Sequence, residues 1–232
     1  MRKIIALFAV AVLTTASLSS ISAQGKKWDW AKFVRYEEQN KALKEEPLAV
    51  LMGDSITDGW PTNSPEFFTD NNLAGRGISG QTSSEMLVRF RADVIDLKPK
   101  MVVICAGTND VAENNGVIAH EYILGNLESM VELARLHNIV PVLCSVLPAD
   151  RFSWNKNIVD PAPTIIKLNK KIRAFAKKNK IAYVNYHKAM RKKNGAMIEE
   201  YSNDGVHPTL AGYHVMESVL LPIIKEVEAS LE

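Results

Sequence analysis

Three residue types that together can attack a carbonyl carbon and move a proton stand at two separated points of this chain. Ser55 lies in Gly53-Asp54-Ser55-Ile56-Thr57, while Asp204 and His207 lie in Asp204-Gly205-Val206-His207. A serine hydroxyl is a weak nucleophile until a neighbouring base takes its proton. Histidine can be that base, and a carboxylate three residues before it can orient and charge-stabilise it. Those are the three roles of serine acyl transfer, so these residues point to a hydrolase. Each string also has a plainer reading: Asp54 or Ser55 as a cap on the next helix, Asp204 and His207 as a turn ahead of the last one. Two further strings, Gly77-Ile78-Ser79-Gly80 and Gly107-Thr108-Asn109-Asp110, raise the specificity if the fold brings all four together.

The elements that must position them are legible as an alternation of short apolar runs and helical patterns, the mark of βαβ units around a parallel sheet. Strands are expected at 48–52, 73–77, 101–106, 139–145 and 181–184. Helices are expected at 82–97, 119–137, 163–179 and 208–230, the first opened by a capping box of Thr82 and Glu85 and the last beginning at Pro208, with a kink at Pro222. Each of the four strings sits at a strand end or loop that a parallel sheet brings to one edge, where open α/β sheets bind ligands. The amphipathic segment from Trp28 to Glu46 is expected to pack Trp30, Phe33 and Val34 onto the body. Residues 147–163 form the longest irregular stretch, and loops of that length are often functional. Trp60 and Trp154 are the candidate substrate-contacting aromatics.

Length and composition place the chain among single-domain globular proteins: 232 residues, 47% of them hydrophobic and 23% charged. Residues 1–23 read as a signal peptide: Arg2 and Lys3, then an apolar stretch from Ile4 to Leu13, then small and polar residues to Ala23. Ten apolar residues are too few to span a bilayer, which takes about 20. The expected division is thus a leader at 1–23, an amphipathic segment at 24–46 packed on the body, and the main domain at 47–232, exported to the periplasm or medium without a stable membrane anchor. Cleavage after Ala23 would take the formal charge from +2 to 0, which gives no electrostatic case for nucleic acid. Lys167, Lys170, Lys171, Lys177 and Lys178 are spaced as one solvated helix face. Cys105 and Cys144, each in a strand-like run, are expected as buried free thiols. His120, His137, His187 and His214 lack ligand spacing, so no metal is expected. Gly75-Arg76-Gly77-Ile78-Ser79-Gly80 fits a dinucleotide fingerprint, but the acidic residue due about 20 positions on is replaced by Lys98-Pro99-Lys100.

Taken in order, the blocks Gly53-Asp54-Ser55, Gly77 to Gly80, Gly107 to Asp110 and Asp204 to His207 resemble those of the SGNH (GDSL-type) esterases over residues 53–207. Ile56 stands where the family's name-giving leucine does. The resemblance implies a flavodoxin-like three-layer α/β/α sandwich with a five-stranded parallel sheet of order 2-1-3-4-5. It implies Ser55 as nucleophile, with Asp204 and His207 completing the triad and no cofactor. It also makes Gly80 and Asn109 the family's glycine and asparagine. The backbone N–H groups of Ser55 and Gly80 and the Asn109 amide would then receive the oxyanion. The strings Gly53 to Trp60 and Arg76 to Gly80 are most similar to the platelet-activating-factor acetylhydrolase-like and carbohydrate-esterase branches. The expected activity is hydrolysis of short-chain, above all acetyl, esters of a carbohydrate or similar polar alcohol. A lysophospholipase or thioesterase with the same triad is the alternative, and a non-catalytic carbohydrate-binding module the remoter one. Oligomeric state is not legible.

Overall fold

The computed structural model describes residues 29–231; the expected leader at 1–23 and Trp28 lie outside them. Five strands form one parallel sheet: β1 (Ala49–Gly53), β2 (Leu73–Gly77), β3 (Met101–Ile104), β4 (Val140–Cys144) and β5 (Ala182–Val184), in the order β2-β1-β3-β4-β5. This is the expected flavodoxin-like arrangement. Every residue of β1 and β3 is buried, as befits strands covered on both faces. Alternation along β1 divides the core: Val50 and Met52 face one layer, Ala49 and Leu51 the other.

Nine helices flank the sheet among the described residues: α1 (Glu37–Lys41), α2 (Ser55–Asn63), α3 (Pro65–Asp70), α4 (Ser83–Asp93), α5 (Thr108–Val111), α6 (His120–Leu136), α7 (Ala162–Lys178), α8 (Tyr186–Met190) and α9 (Leu210–Ala229). Buried side chains of α4, α6 and α7 fill the first layer, and those of α2, α3, α8 and α9 the second. The Thr82–Glu85 capping box forms as expected at the start of α4. The last helix is capped by the Thr209 hydroxyl, which accepts from Gly212 N–H at 3.2 Å, and not started by Pro208. It runs as one element through Pro222.

Two expectations are corrected. Trp30, Phe33 and Val34 are 65%, 42% and 47% exposed, so the N-terminal segment does not pack through them. It is held instead by buried Ala31 and Tyr36, whose hydroxyl donates to the Gly77 carbonyl, because a 3₁₀ turn at Phe33–Tyr36 replaces the expected continuous helix. Residues 55–70 form α2 and α3, and no helix was expected there. The lysines of α7 fall on one largely exposed arc of the helix, at whose edge Lys171 reaches Glu121 on α6 at 2.5 Å. Cys105 and Cys144 are buried free thiols.

Candidate active site

The strand registers fix the site. Gly53 pairs with Gly77 and Met52 with Ile104, so β1, β2 and β3 end together and deliver Ser55, Gly80 and Asn109 to one edge. Ser55 opens α2, with Asp54 as its cap: the Asp54 carboxylate accepts from Ile56 N–H at 3.0 Å. The turn from β1 into α2 lies hard against the end of β2. A Cβ on Gly77 would sit 2.1 Å from the backbone nitrogen of Asp58, so only glycine fits there. Gly80 adopts φ +84°, a left-handed conformation that favours glycine, with open space where a side chain would be.

Ser55 Oγ donates to His207 Nε2 at 2.9 Å, and His207 Nδ1 donates to Asp204 Oδ2 at 2.6 Å. Both partners come from the loop before α9. That loop is braced on Asp204 Oδ1, which accepts from the N–H groups of Val206 and His207, each at 2.8 Å, and from Ser202 Oγ at 3.1 Å. Burial works against ionising Asp204, but the hydrogen bonds from the His207 ring, His207 N–H and Val206 N–H outweigh it and hold the carboxyl at about 2. The carboxylate is therefore charged at neutral pH, and it fixes the tautomer that leaves Nε2 free to accept. Asp54, wholly buried beside Ser55, is pushed the other way, to about 6, by desolvation that its Ile56 hydrogen bond only partly offsets.

Asn109 is 4% exposed. Its amide donates to the Gln81 carbonyl at 3.0 Å and accepts from Asn114 at 2.9 Å, which fixes the direction of its remaining N–H. No hydrogen bond among the described residues takes up the backbone N–H of Ser55 or of Gly80. The structure thus gathers the five residues the sequence pointed to. Trp154 joins them: its ring centroid lies 6.1 Å from that of His207, and its Nε1 donates to Asn114 Oδ1 at 2.9 Å. Trp60 does not. It is 2% exposed, stacked on Phe67 and Tyr213 in the second core layer, with Nε1 donating to Glu217 at 3.1 Å. Its expected substrate contact is corrected to a packing role, because α2 turns its apolar side toward the sheet.

Four supporting residues escaped the sequence reading. Ser202 braces Asp204, Asn114 links Trp154 to Asn109, and buried Arg89 and Gln81 lie beneath the site. Arg89 Nη2 donates to the Gly53 carbonyl at 2.9 Å and Nε to Gln81 Oε1 at 2.5 Å, so one guanidinium ties the strand before Ser55 to the Asn109 support. Asn114 stands five residues after Asn109, a proximity that was available as a signal; Arg89 read only as a polar position of a helix.

This architecture, with a serine opening the helix after the first strand, is that of a carboxylic ester hydrolase. Residues 51–215 match the GDSL-like Lipase/Acylhydrolase family, and the chain belongs to it. A GDSL-like lipase of known structure from Bacteroides thetaiotaomicron is 47% identical and superposes with a TM-score of 0.82, the match covering 85% of this chain and 99% of that one. An acetylxylan esterase of Xylanibacter ruminicola is 26% identical over 79% of this chain and 44% of its own length. The uncharacterized lipoprotein YqeF of Bacillus subtilis is 36% identical over 55% of this chain and 45% of its own. The chain spans less than half the length of these two curated relatives.

Proposed function

We propose that the protein is a serine esterase that removes short acyl groups, acetyl above all, from a carbohydrate or similar polar alcohol. Ser55 Oγ attacks the ester carbonyl as His207 Nε2 takes its proton. The carbonyl oxygen becomes an oxyanion received by the N–H groups of Ser55 and Gly80 and by the Asn109 amide. Collapse breaks the bond to the alcohol, which leaves with the proton from His207. Water, deprotonated by the same nitrogen, then releases the acid and restores Ser55. Asp204, charged throughout, offsets the imidazolium in both halves.

The observation that carries the substrate class is the cavity of about 400 Å³ beside Gly80, lined by Glu113, Asn114, Asn115, Trp154 and Asn155. The wall is polar, with a carboxylate, amide oxygens and the face of an indole, which suits a polyol and offers little to a hydrocarbon chain. The likeness to an acetylxylan esterase supports the same reading. Export is proposed with it, from the leader expected at 1–23 and the likeness to a lipoprotein. The test is hydrolysis of an ester series from acetyl to decanoyl by the wild type and by Ser55→Ala. Acetyl or propionyl esters should be best, and the folded Ser55→Ala protein inactive. A deep lipid pocket would gain about 0.8 kcal/mol per buried methylene, so a steady rise in kcat/KM with chain length would replace this reading with the lysophospholipase one. Turnover by Ser55→Ala would remove the mechanism.

A further inference from the structure

A second cavity, of about 610 Å³, lies between α7 and the sheet's edge strand β5, continuing onto α8. β5 is three strand positions from β1, about 14 Å across the sheet, so this groove is separate from Ser55. Five exposed cations line it: Lys170, Arg173 and Lys177 from α7, and Lys188 and Arg191 from the opposite wall. None is in an ion pair among the described residues, although other surface lysines and arginines find carboxylates, as Lys171 does. No acidic residue lines the groove. His187, 7% exposed, also lines it, and its buried Nε2 has no hydrogen-bond partner among the described residues. A buried polar atom left unpaired costs stability, and a ligand group reaching it would remove that cost.

We infer that this groove binds a segment of acidic polysaccharide, its carboxylates on the five cations and a hydroxyl or carboxylate oxygen on His187 Nε2. The inference rests on the carbohydrate reading of the active site and extends it to a separate anchoring site. Lys170 and Lys177 are two helical turns apart, about 10 Å, and Lys188 and Arg191 stand across from them, so the charges are spread too widely for one small anion. A chain carrying a carboxylate on successive sugars matches that spread, and Tyr183 in the groove offers a ring face to a sugar. Burial, with Arg191 adding to it, lowers His187 to about 4, so the ring is neutral at working pH and serves as a hydrogen-bonding group.

The experiment is titration of the full protein with polygalacturonate oligomers, neutral xylan oligomers, inorganic phosphate and duplex DNA, at about 20 and about 200 mM salt. Polygalacturonate should bind, more weakly at the higher salt, and better than xylan or phosphate. Arg173→Ala/Arg191→Ala, two exposed changes that leave the core alone, should weaken that binding about tenfold or more. His187→Gln should weaken it too. Hydrolysis of a small acetate ester should be unchanged in the double variant, so failure of the esterase reading and failure of this one are read separately. Equal binding by wild type and double variant overturns the inference. So does phosphate binding as tightly as polygalacturonate, which would mean a simple anion site, or tighter binding of DNA.

Discussion

Arg89 carries its charge at zero exposure beneath the nucleophile's strand, which makes Arg89→Met a test of how the site is held. Its guanidinium pairs with Asp93, also fully buried, at 2.9 Å, and donates to the carbonyls of Gly53 and Arg76 and to the side chain of Gln81. Removing one partner of a buried pair leaves the other charge uncompensated and costs about 3–5 kcal/mol. Asp93 keeps the Asn40 amide at 3.2 Å and the more distant charge of Arg76, with no ion-pair contact to replace Arg89. In a domain of this size the loss corresponds to a melting temperature lower by roughly 6–20 °C. Arg89→Met/Asp93→Leu removes both charges and should regain most of the stability, since apolar replacements of buried pairs are often neutral. Catalysis should not return with it. Gln81, whose carbonyl holds the Asn109 amide, keeps its bond to the Ala31 carbonyl but loses the guanidinium, and the Gly53 carbonyl two residues before Ser55 keeps only Ile78 N–H. Displacements of about 1 Å cost up to about 10²-fold in rate, so kcat of the double variant should stay roughly 10- to 100-fold down while its melting curve recovers. Denaturant melts and kcat on a short-chain ester, measured on the same samples, decide it. An Arg89→Met protein within about 1 kcal/mol and twofold of wild type would refute the reasoning, as would a double variant whose activity recovers along with its stability.

Asn109→Ala should lower kcat by about 10²–10³ with KM much less affected, because the amide acts on charge that develops in the transition state; steady-state kinetics with an effect confined to KM would assign it to ground-state binding. Asp54 holds its proton up to about 6 in the folded protein against 3.8 ordinarily, so it makes stability fall as pH rises between those values and stay lower above them. Asp54→Asn, which keeps the cap, should gain about 3 kcal/mol on wild type between pH 4 and 8; denaturation midpoints with a pH-independent difference would contradict that. Gly77→Ala drives a Cβ into backbone atoms of Thr57 and Asp58 and should cost about 3 kcal/mol or more; a melting temperature within a few degrees of wild type would show that the turn can yield.

The sheet was legible because its strands are nearly continuous apolar runs bounded by glycine, as in Val50-Leu51-Met52-Gly53, and the helices after it because their apolar residues keep to one face. The stretch from 55 to 70 was not. Gly59 and Pro61 interrupt its pattern, yet Pro61 is tolerated inside α2, where Trp60 packs against Phe67 and Phe68 of α3 and Tyr213 of α9. Tertiary packing overrode local propensity there. The N-terminal segment failed for a related reason: periodicity shows which residues could share a face but not whether the body offers one. Tyr36 found the Gly77 carbonyl and the guanidinium of Arg76, 4.9 Å from its ring, and the three residues with the stronger apolar signal stayed in solvent.

The residues placed at the site from sequence were those whose chemistry is unusual for their position, such as a serine ending a buried strand. The residues missed support them from beneath, and their types are ordinary. Arg89 on a helix is by default a solvated charge, and only the fold shows it at zero exposure under Gly53. The two tryptophans make the same point in opposite directions. Trp60 and Trp154 were indistinguishable as isolated aromatics near expected site loops. Trp60 opens onto a layer with four other aromatic rings and is drawn into it. Trp154 sits in the irregular loop between β4 and α7, where its indole has Phe152 behind it at 5.0 Å, Asn114 to bond and His207 beside it. What separates them is the neighbours the topology supplies. An aromatic on a helix against the sheet is consumed by the core, and one on a loop over the sheet's carboxyl edge stays exposed beside the Ser55–His207 pair.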